Sequence, residues 1–293
     1  MAQARFPDLQ VSMVDEDPHW RRRTVPMKVL VLGYPRTGTS SIQKALEGLG
    51  FGPCYHMRNC INQNPRDCEM WVEALKAKYD GVGIFGSEQW DQLLGDFSSL
   101  CDLPAIACGA ELMKAYPSAK IILTNRPVDD WYQSCDKTLR RARDYWLHSV
   151  LERIDWATAL VHGMRRKLWQ TMFADDFEKN GRAAMVAHYD EIRRLAKEQG
   201  REVLEFHLTD GWAPLCRFLE VDVPGYPYPR MNEGGDWILK MKHRARGRLW
   251  VALTKLFWGM LPVTVTGCGI MAVKVWNIQT NYWIPLLHRL NST

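Results

Sequence analysis

The chain has 293 residues, 46% apolar and 24% charged, with a formal net charge of +5. This composition excludes a wholly disordered chain, and the length suits one large α/β domain with an appendage. The mildly basic balance fits an anionic nucleotide or an anionic surface; with no zinc finger, RNP motif or basic recognition helix, nucleic acid is not an expected partner.

In chain order, residues 1–24 are expected to form a flexible arm ending in an exposed basic knot, Arg21-Arg22-Arg23. Met1–Asp17 is polar and acidic, with no signal-peptide core. Eight cysteines (Cys54, Cys60, Cys68, Cys101, Cys108, Cys135, Cys216 and Cys268) include no C-x₂-C pair. They read as reduced thiols on the cytosolic side, and no metal is expected.

The stretch Lys28–Leu49, KVLVLGYPRTGTSSIQKALEGL, reads as strand, loop and helix. Val29–Leu32 is a continuous apolar run, as a strand buried on both faces of a parallel sheet requires. A turn with Gly33 and Gly38 follows, then a hydroxyl cap at Ser40 or Ser41. Ile42, Ala45, Leu46 and Leu49 recur at helical spacing. A glycine loop entering a helix N-terminus is a cradle for anions, because free N–H groups and the helix dipole both favour negative charge. The spacing resembles a Walker A loop, but Thr39 stands where that motif has lysine, and a cation comes earlier, at Arg36. Hydrolysis of a nucleoside triphosphate is therefore not expected.

Downstream, helices are expected around Met70–Lys78, Trp90–Leu94, Ala105–Ala115, Leu139–Asp176, Gly181–Gly200 and Gly211–Leu219. Gly81–Gly86 reads as a short strand or loop, and Asp96–Pro104 as a loop carrying Asp102. Lys120–Asn125 is a second buried strand, with Arg126 at its carboxyl end, where ligands bind in open α/β sheets. Asp129 or Asp130 caps a helix bearing Trp131, Ser134 and Cys135. Val203–Leu208 is a third strand, and Val221–Asn232 a proline-rich closing loop. Buried strands alternating with helices predict a P-loop-type three-layer α/β/α domain over 25–238, with a central, mainly parallel sheet.

Five blocks in order, GYPRTGTSSI, ALEGLGFGPCYHM, WDQLLGDFSSLCDLP, ELMKAYPSAKIILTNR and DGWAPLCRFLEVDVP, resemble the sulfotransferases that use 3′-phosphoadenosine 5′-phosphosulfate (PAPS), in the fungal and trematode-type branch. The resemblance spans roughly Val29–Asn232. It implies sulfuryl transfer to a hydroxyl of a small, lipophilic acceptor, with PAP as the other product and no metal. It further implies that Arg36, Thr37, Gly38, Thr39 and Ser40 hold the 5′ phosphosulfate, and that Arg126 and Ser134 grip the 3′ phosphate. Asp102 is implied as general base; capping of the next helix is the alternative for it, and an ion pair with Asp129 or Asp130 is the alternative for Arg126. His56 is the second candidate base. Trp90 and Trp131 read as core, with walling of the acceptor pocket the alternative for either, and Glu111 either pairs with a site cation or covers a helix face. Two rival functions stay open: a sulfotransferase scaffold repurposed for isomerisation or cyclisation, and a non-catalytic nucleotide-binding module.

Residues 239–293 read as a basic stretch, Lys240–Arg248, followed by an apolar helical segment. Leu256–Val273 runs 18 residues without a charge, at the lower limit for a bilayer span. A membrane anchor, holding a cytoplasmic catalytic domain on an intracellular membrane, is one expectation; a helical hairpin packed on the domain is the other.

Overall fold

The computed structural model describes residues 13–231 and 236–260, with side chains of the last segment described over 238–255. Its centre is a five-stranded, all-parallel sheet in the order β2-β3-β1-β4-β5. The strands are β1 (Val29–Val31), β2 (Cys54–Tyr55), β3 (Ser99–Leu100), β4 (Lys120–Asn125) and β5 (Val203–His207). The helices are α1 (Thr39–Gly48), α2 (Met57–Asn62), α3 (Asp67–Tyr79), α4 (Ser87–Leu94), α5 (Gly109–Ala115), α6 (Val128–Cys135), α7 (Trp146–Ile154), α8 (Trp156–Phe173), α9 (Phe177–Glu198), α10 (Trp212–Leu219) and α11 (Asp236–Met260).

The apolar runs of β1 and β4 bury both faces of the sheet. Leu30, Leu32, Ile121 and Leu123 join a large core with residues of α3, α4, α5, α8 and α9. Val29, Val31 and Ile122 join a smaller one with Ile42, Ala45 and Leu46 of α1 and Trp212 and Leu215 of α10. The expected α/β layering with a parallel sheet therefore holds, and Trp90 and Trp131 are core residues at 2% and 0% exposure. Gly81–Gly86 is loop. The sequence reading lacked β2 and β3, which are two residues each and carry no alternation to read. Pairing places them: Leu100 lies beside Leu30, and Tyr55 beside Leu100. Strand order reverses about β1, whose neighbours are β3 and β4. The loops after these strands meet at the switch point where open α/β sheets bind ligands.

The basic knot of the arm is not an exposed cluster. Arg21 pairs with the buried Asp67 at 3.0 Å, and Arg23 donates to the Tyr116 hydroxyl at 2.6 Å and also pairs with Asp91. Over 13–24 the chain is thus tied to the body at Arg21 and Arg23, while Arg22 is exposed, and the buried carboxylate on α3 gains its counter-charge from Arg21.

The basic stretch Lys240–Arg248 lies within α11, which packs on the body. Ala245 and Leu249 meet Leu147 and Leu151 of α7. Arg248 Nε donates to Asp155 Oδ2 at 3.0 Å, and the same carboxylate caps α8 through the Thr158 N–H at 3.0 Å. No helix among the described residues is long and apolar enough to cross a membrane. Most of the expected anchor at 256–273 lies outside the described residues. The Asp155 side chain is 6% exposed and that of Arg248 20%. Arg248→Met should therefore cost about 2 kcal/mol in urea unfolding, somewhat below the loss from a fully buried pair. An Asp155→Asn change in the same background should recover part of that loss.

Candidate active site

A cavity of about 360 Å³ opens at the carboxyl edge of the sheet. One end is the loop after β1. Gly38, with φ of 105°, caps α1 in a left-handed conformation that glycine adopts freely. Among the described residues, no backbone carbonyl takes the N–H groups of Arg36, Thr37, Gly38 or Thr39. These donors and the dipole of α1 form an anion cradle beside Thr39 and Ser40, which line the cavity. Arg36 Nε donates to Ser134 Oγ at 3.3 Å, and Arg126 donates to the Arg36 carbonyl at 3.1 Å. Burial pulls the Arg36 guanidinium below its ordinary value. Asp129 pairs with Arg182 at 2.7 Å rather than with Arg126. Arg36, Ser134 and Arg126 thus converge, and a planar guanidinium can donate two parallel N–H bonds to two oxygens of a tetrahedral phosphate or sulfate.

Thr37 departs from its expected place. Its hydroxyl donates to the Tyr34 carbonyl at 2.6 Å and lies 2.6 Å from the Thr124 hydroxyl. It is 4% exposed, lies outside the cavity lining and holds the loop from beneath.

Asp102 lies just past β3 and is 7% exposed. The following 3₁₀ turn, Ala105–Cys108, is capped at Pro104, with no side-chain cap, so Asp102 does not serve as that cap. His56 is the N-cap of α2: its Nδ1 accepts the Arg58 N–H at 3.2 Å, and its own N–H donates to Asn59 Oδ1 at 2.7 Å. That bond leaves the neutral ring with its proton on Nε2. His56 Nε2 is 3.2 Å from Asp102 Oδ2 but not aligned for a hydrogen bond. His56 Nε2 and Asp102 Oδ1 are buried polar atoms without a hydrogen-bond partner in the structure. Burial pushes the Asp102 carboxyl up to about 6, against the Leu103 N–H and the fields of Arg58 and Arg36. Burial, with the Arg58 charge, holds His56 well below its usual range.

Backbone conformation marks the same two places. The described non-glycine residues with positive φ are Arg36, Asp102, Ala174, Asp175 and Glu220. The last three follow helix C-termini, where a left-handed residue is an ordinary stop. Arg36 at 72° and Asp102 at 70° line the cavity instead. Strain of about 1–3 kcal/mol at such residues is retained where the surroundings fix a site.

A family model of the sulfotransferase domain matches residues 28–237. The chain belongs to the sulfotransferase family. Over 213 residues it is 36% identical to Ava biosynthesis cluster protein M of Aspergillus versicolor, a match covering 70% of this chain and 80% of that protein. This sulfotransferase-family chain also places residues at the cavity that the sequence reading did not select. Arg58, two residues after His56, bears on both His56 and Asp102. Arg165, Leu168, Trp169 and Met172 of α8 form one wall, and Met241 and Arg244 of α11 another. The α8 positions recur at helical spacing in the tryptophan-rich stretch, a signal a core helix shares. Glu111 pairs with Lys78 at 2.9 Å, outside the cavity lining.

Proposed function

We propose that this member of the family transfers a sulfuryl group from PAPS to a hydroxyl of a small acceptor, with Asp102 as general base. The observation that carries this reading is the orphaned pair at the cavity wall: a carboxylate oxygen of Asp102 and the Nε2–H of His56, both buried and unbonded. Neither atom is open to solvent, so an acceptor hydroxyl satisfies both once the two side chains shift towards it, donating to Asp102 Oδ1 and accepting from His56 Nε2. His56 then positions the acceptor oxygen and is not itself the base, since its Nδ1 is already engaged as a helix cap.

The donor set fits the nucleotide. The α1 N-terminus, Arg36, Thr39 and Ser40 would hold its phosphosulfate end, and Arg126 and Ser134 its 3′ phosphate. When bound, PAPS supplies the sulfuryl group and leaves as PAP. Arg36 and the loop N–H groups stabilise charge on the leaving side without reorganising, because the loop is already fixed. Asp102 takes the acceptor proton as the oxygen attacks. The apolar wall of Leu168, Met172 and Phe173 excludes water. The name of the Aspergillus versicolor relative, a biosynthesis cluster protein, supports a small-molecule acceptor.

Calorimetric titration of PAP into the wild type and into Arg126→Ala tests the donor half. Micromolar binding is expected, weakened roughly tenfold to a hundredfold by the substitution, as loss of a charge-assisted bond predicts. No binding by well-folded wild type would overturn PAPS dependence and favour chemistry confined to the acceptor chamber.

A further inference from the structure

The acceptor end of the cavity holds a cation that the proposed transfer does not use. Arg165 projects from α8 and lines both the main cavity and a smaller one, of about 50 Å³, beneath α11. Around it stand the apolar side chains of Ile61, Leu168 and Met241, with a second cation, Arg244, that borders both cavities as Arg165 does. Among the described residues no carboxylate pairs with the Arg165 guanidinium, and the groups that favour its charge are only the Cys68 and Cys60 thiols. The carboxylates nearby are committed elsewhere. Asp155 holds Arg248 and caps α8, and Glu152 pairs with Arg166. The neighbouring His148 and His162 are neutral, both pushed down to about 4 by burial and by Arg165 itself. Burial also pulls Arg165 below its ordinary value. Arg165 is half-buried at the cavity wall and no described carboxylate holds its donors, so its charge is open to whatever enters the chamber.

Arg165 also borders the smaller cavity, whose lining includes neither His56 nor Asp102, so it stands to one side of the reacting centre. Arg58 and Arg36 are the cations whose fields reach Asp102, whereas the field of Arg165 reaches His148 and His162. We propose that the acceptor is a hydroxy acid, its hydroxyl at Asp102 and His56 and its carboxylate paired with Arg165 at the far end of an apolar chamber. This rests on reading that chamber as the acceptor site. The planar fork of arginine suits a carboxylate in two-point contact, and the walls of Leu168, Trp169 and Met172 suit a flat hydrocarbon body between the two ends.

The test uses hydroxybenzoic, hydroxynaphthoic and hydroxybiphenyl carboxylic acids, with hydroxyl and acid at opposite ends, each beside its methyl ester. Binding is followed by quenching of tryptophan fluorescence, since Trp131 and Trp169 line the cavity, in the absence of any donor. The wild type should bind the best-fitting acid roughly tenfold to a hundredfold more tightly than its ester. Arg165→Met should abolish that preference, and Arg165→Lys should keep part of it. Arg165→Met should also melt no lower than wild type, since it removes an uncompensated charge. No acid preference across the whole set overturns the proposal. So does a preference that survives Arg165→Met, which would place the acid on another cation of the cavity, Arg244 or a donor-side arginine. Calorimetry with PAP on the same proteins is read separately. Lost PAP binding with an intact acid preference would sink the donor reading alone.

Discussion

Replacing Asp102 with Asn should lower kcat/KM for sulfuryl transfer by about a thousandfold, within the range that a positioned general base contributes. PAP affinity should stay within about twofold, since Asp102 is not among the proposed donor ligands. Asn keeps the shape and tolerates the left-handed backbone at 70°, so the loss reports chemistry rather than folding. In the wild type, kcat/KM should rise about tenfold per pH unit below about 6 and level off above it, because the carboxyl must be ionised to accept a proton. In Asp102→Asn that limb should vanish. A flat wild-type profile between pH 5 and 7, measured as about equal rates, would remove Asp102 from the role of base.

The same group makes an opposite prediction for stability. Burial raises the folded-state value from 3.8 to about 6, so the folded protein binds this proton more tightly than the unfolded chain. Between those values stability falls as pH rises, and at neutral pH the ionised Asp102 opposes folding by up to about 3 kcal/mol. Asp102→Asn should therefore be more stable than wild type at pH 7, with the gain shrinking towards zero below about pH 4. Urea midpoints at the two pH values would check this. A variant less stable than wild type at pH 7 would mean that the surroundings favour the charged form, contrary to the geometry of an unbonded Oδ1. A mutation that removes activity and adds stability is the mark of a group kept for chemistry at a cost to the fold.

Much of this site was legible before the fold, and for identifiable reasons. Arg36, Gly38, Thr39 and Ser40 sit in one continuous strand-loop-helix signal, so their placement follows from local order. Arg126 was legible as a cation at the end of a six-residue strand whose four central residues are buried. Two parts were not. Thr37 looks like Thr39 and Ser40 in the sequence. Only the packing of β4 against the loop shows that its hydroxyl turns inward, to Thr124 and Tyr34. The contributions of α8 and α11 depend on contacts between segments remote from the loop, and their apolar and basic residues at helical spacing equally suit a core or a solvated face. Met241 is 5% exposed on a helix that reads from composition as a basic tail. A basic run that packs by one apolar stripe carries a periodicity weak enough to be hidden by its charge.

Gly33→Ala should be among the most damaging single-methyl changes at the described glycines. The carbon added there would lie 2.1 Å from Thr124 Oγ1 and 2.6 Å from both the backbone nitrogen and the carbonyl oxygen of Thr124. A side-chain tip can swing away, but Thr124 is in β4, whose backbone is paired to β1 and to β5 on its two edges. The clash can be relieved only by parting β1 from β4 at the point where the anion loop begins. The Leu32 N–H bond to the Ile122 carbonyl, 2.8 Å, lies directly beside it. Overpacking a core ordinarily costs about 1–3 kcal/mol, and a contact against backbone on a central strand should reach or exceed the top of that range. At the low end of a total stability of roughly 5–15 kcal/mol, that would leave about 2 kcal/mol and an unfolded fraction of a few per cent. Thr124→Ala in the Gly33→Ala background removes the nearest atom but also the hydroxyl that holds Thr37, so it should recover only part of the loss. Urea unfolding of the single and double variants separates these terms. A Gly33→Ala protein within about 1 kcal/mol of wild type, still binding PAP, would show that the loop can leave β4 without losing its shape. The rigidity argued for Arg36 and the cradle would then need another source.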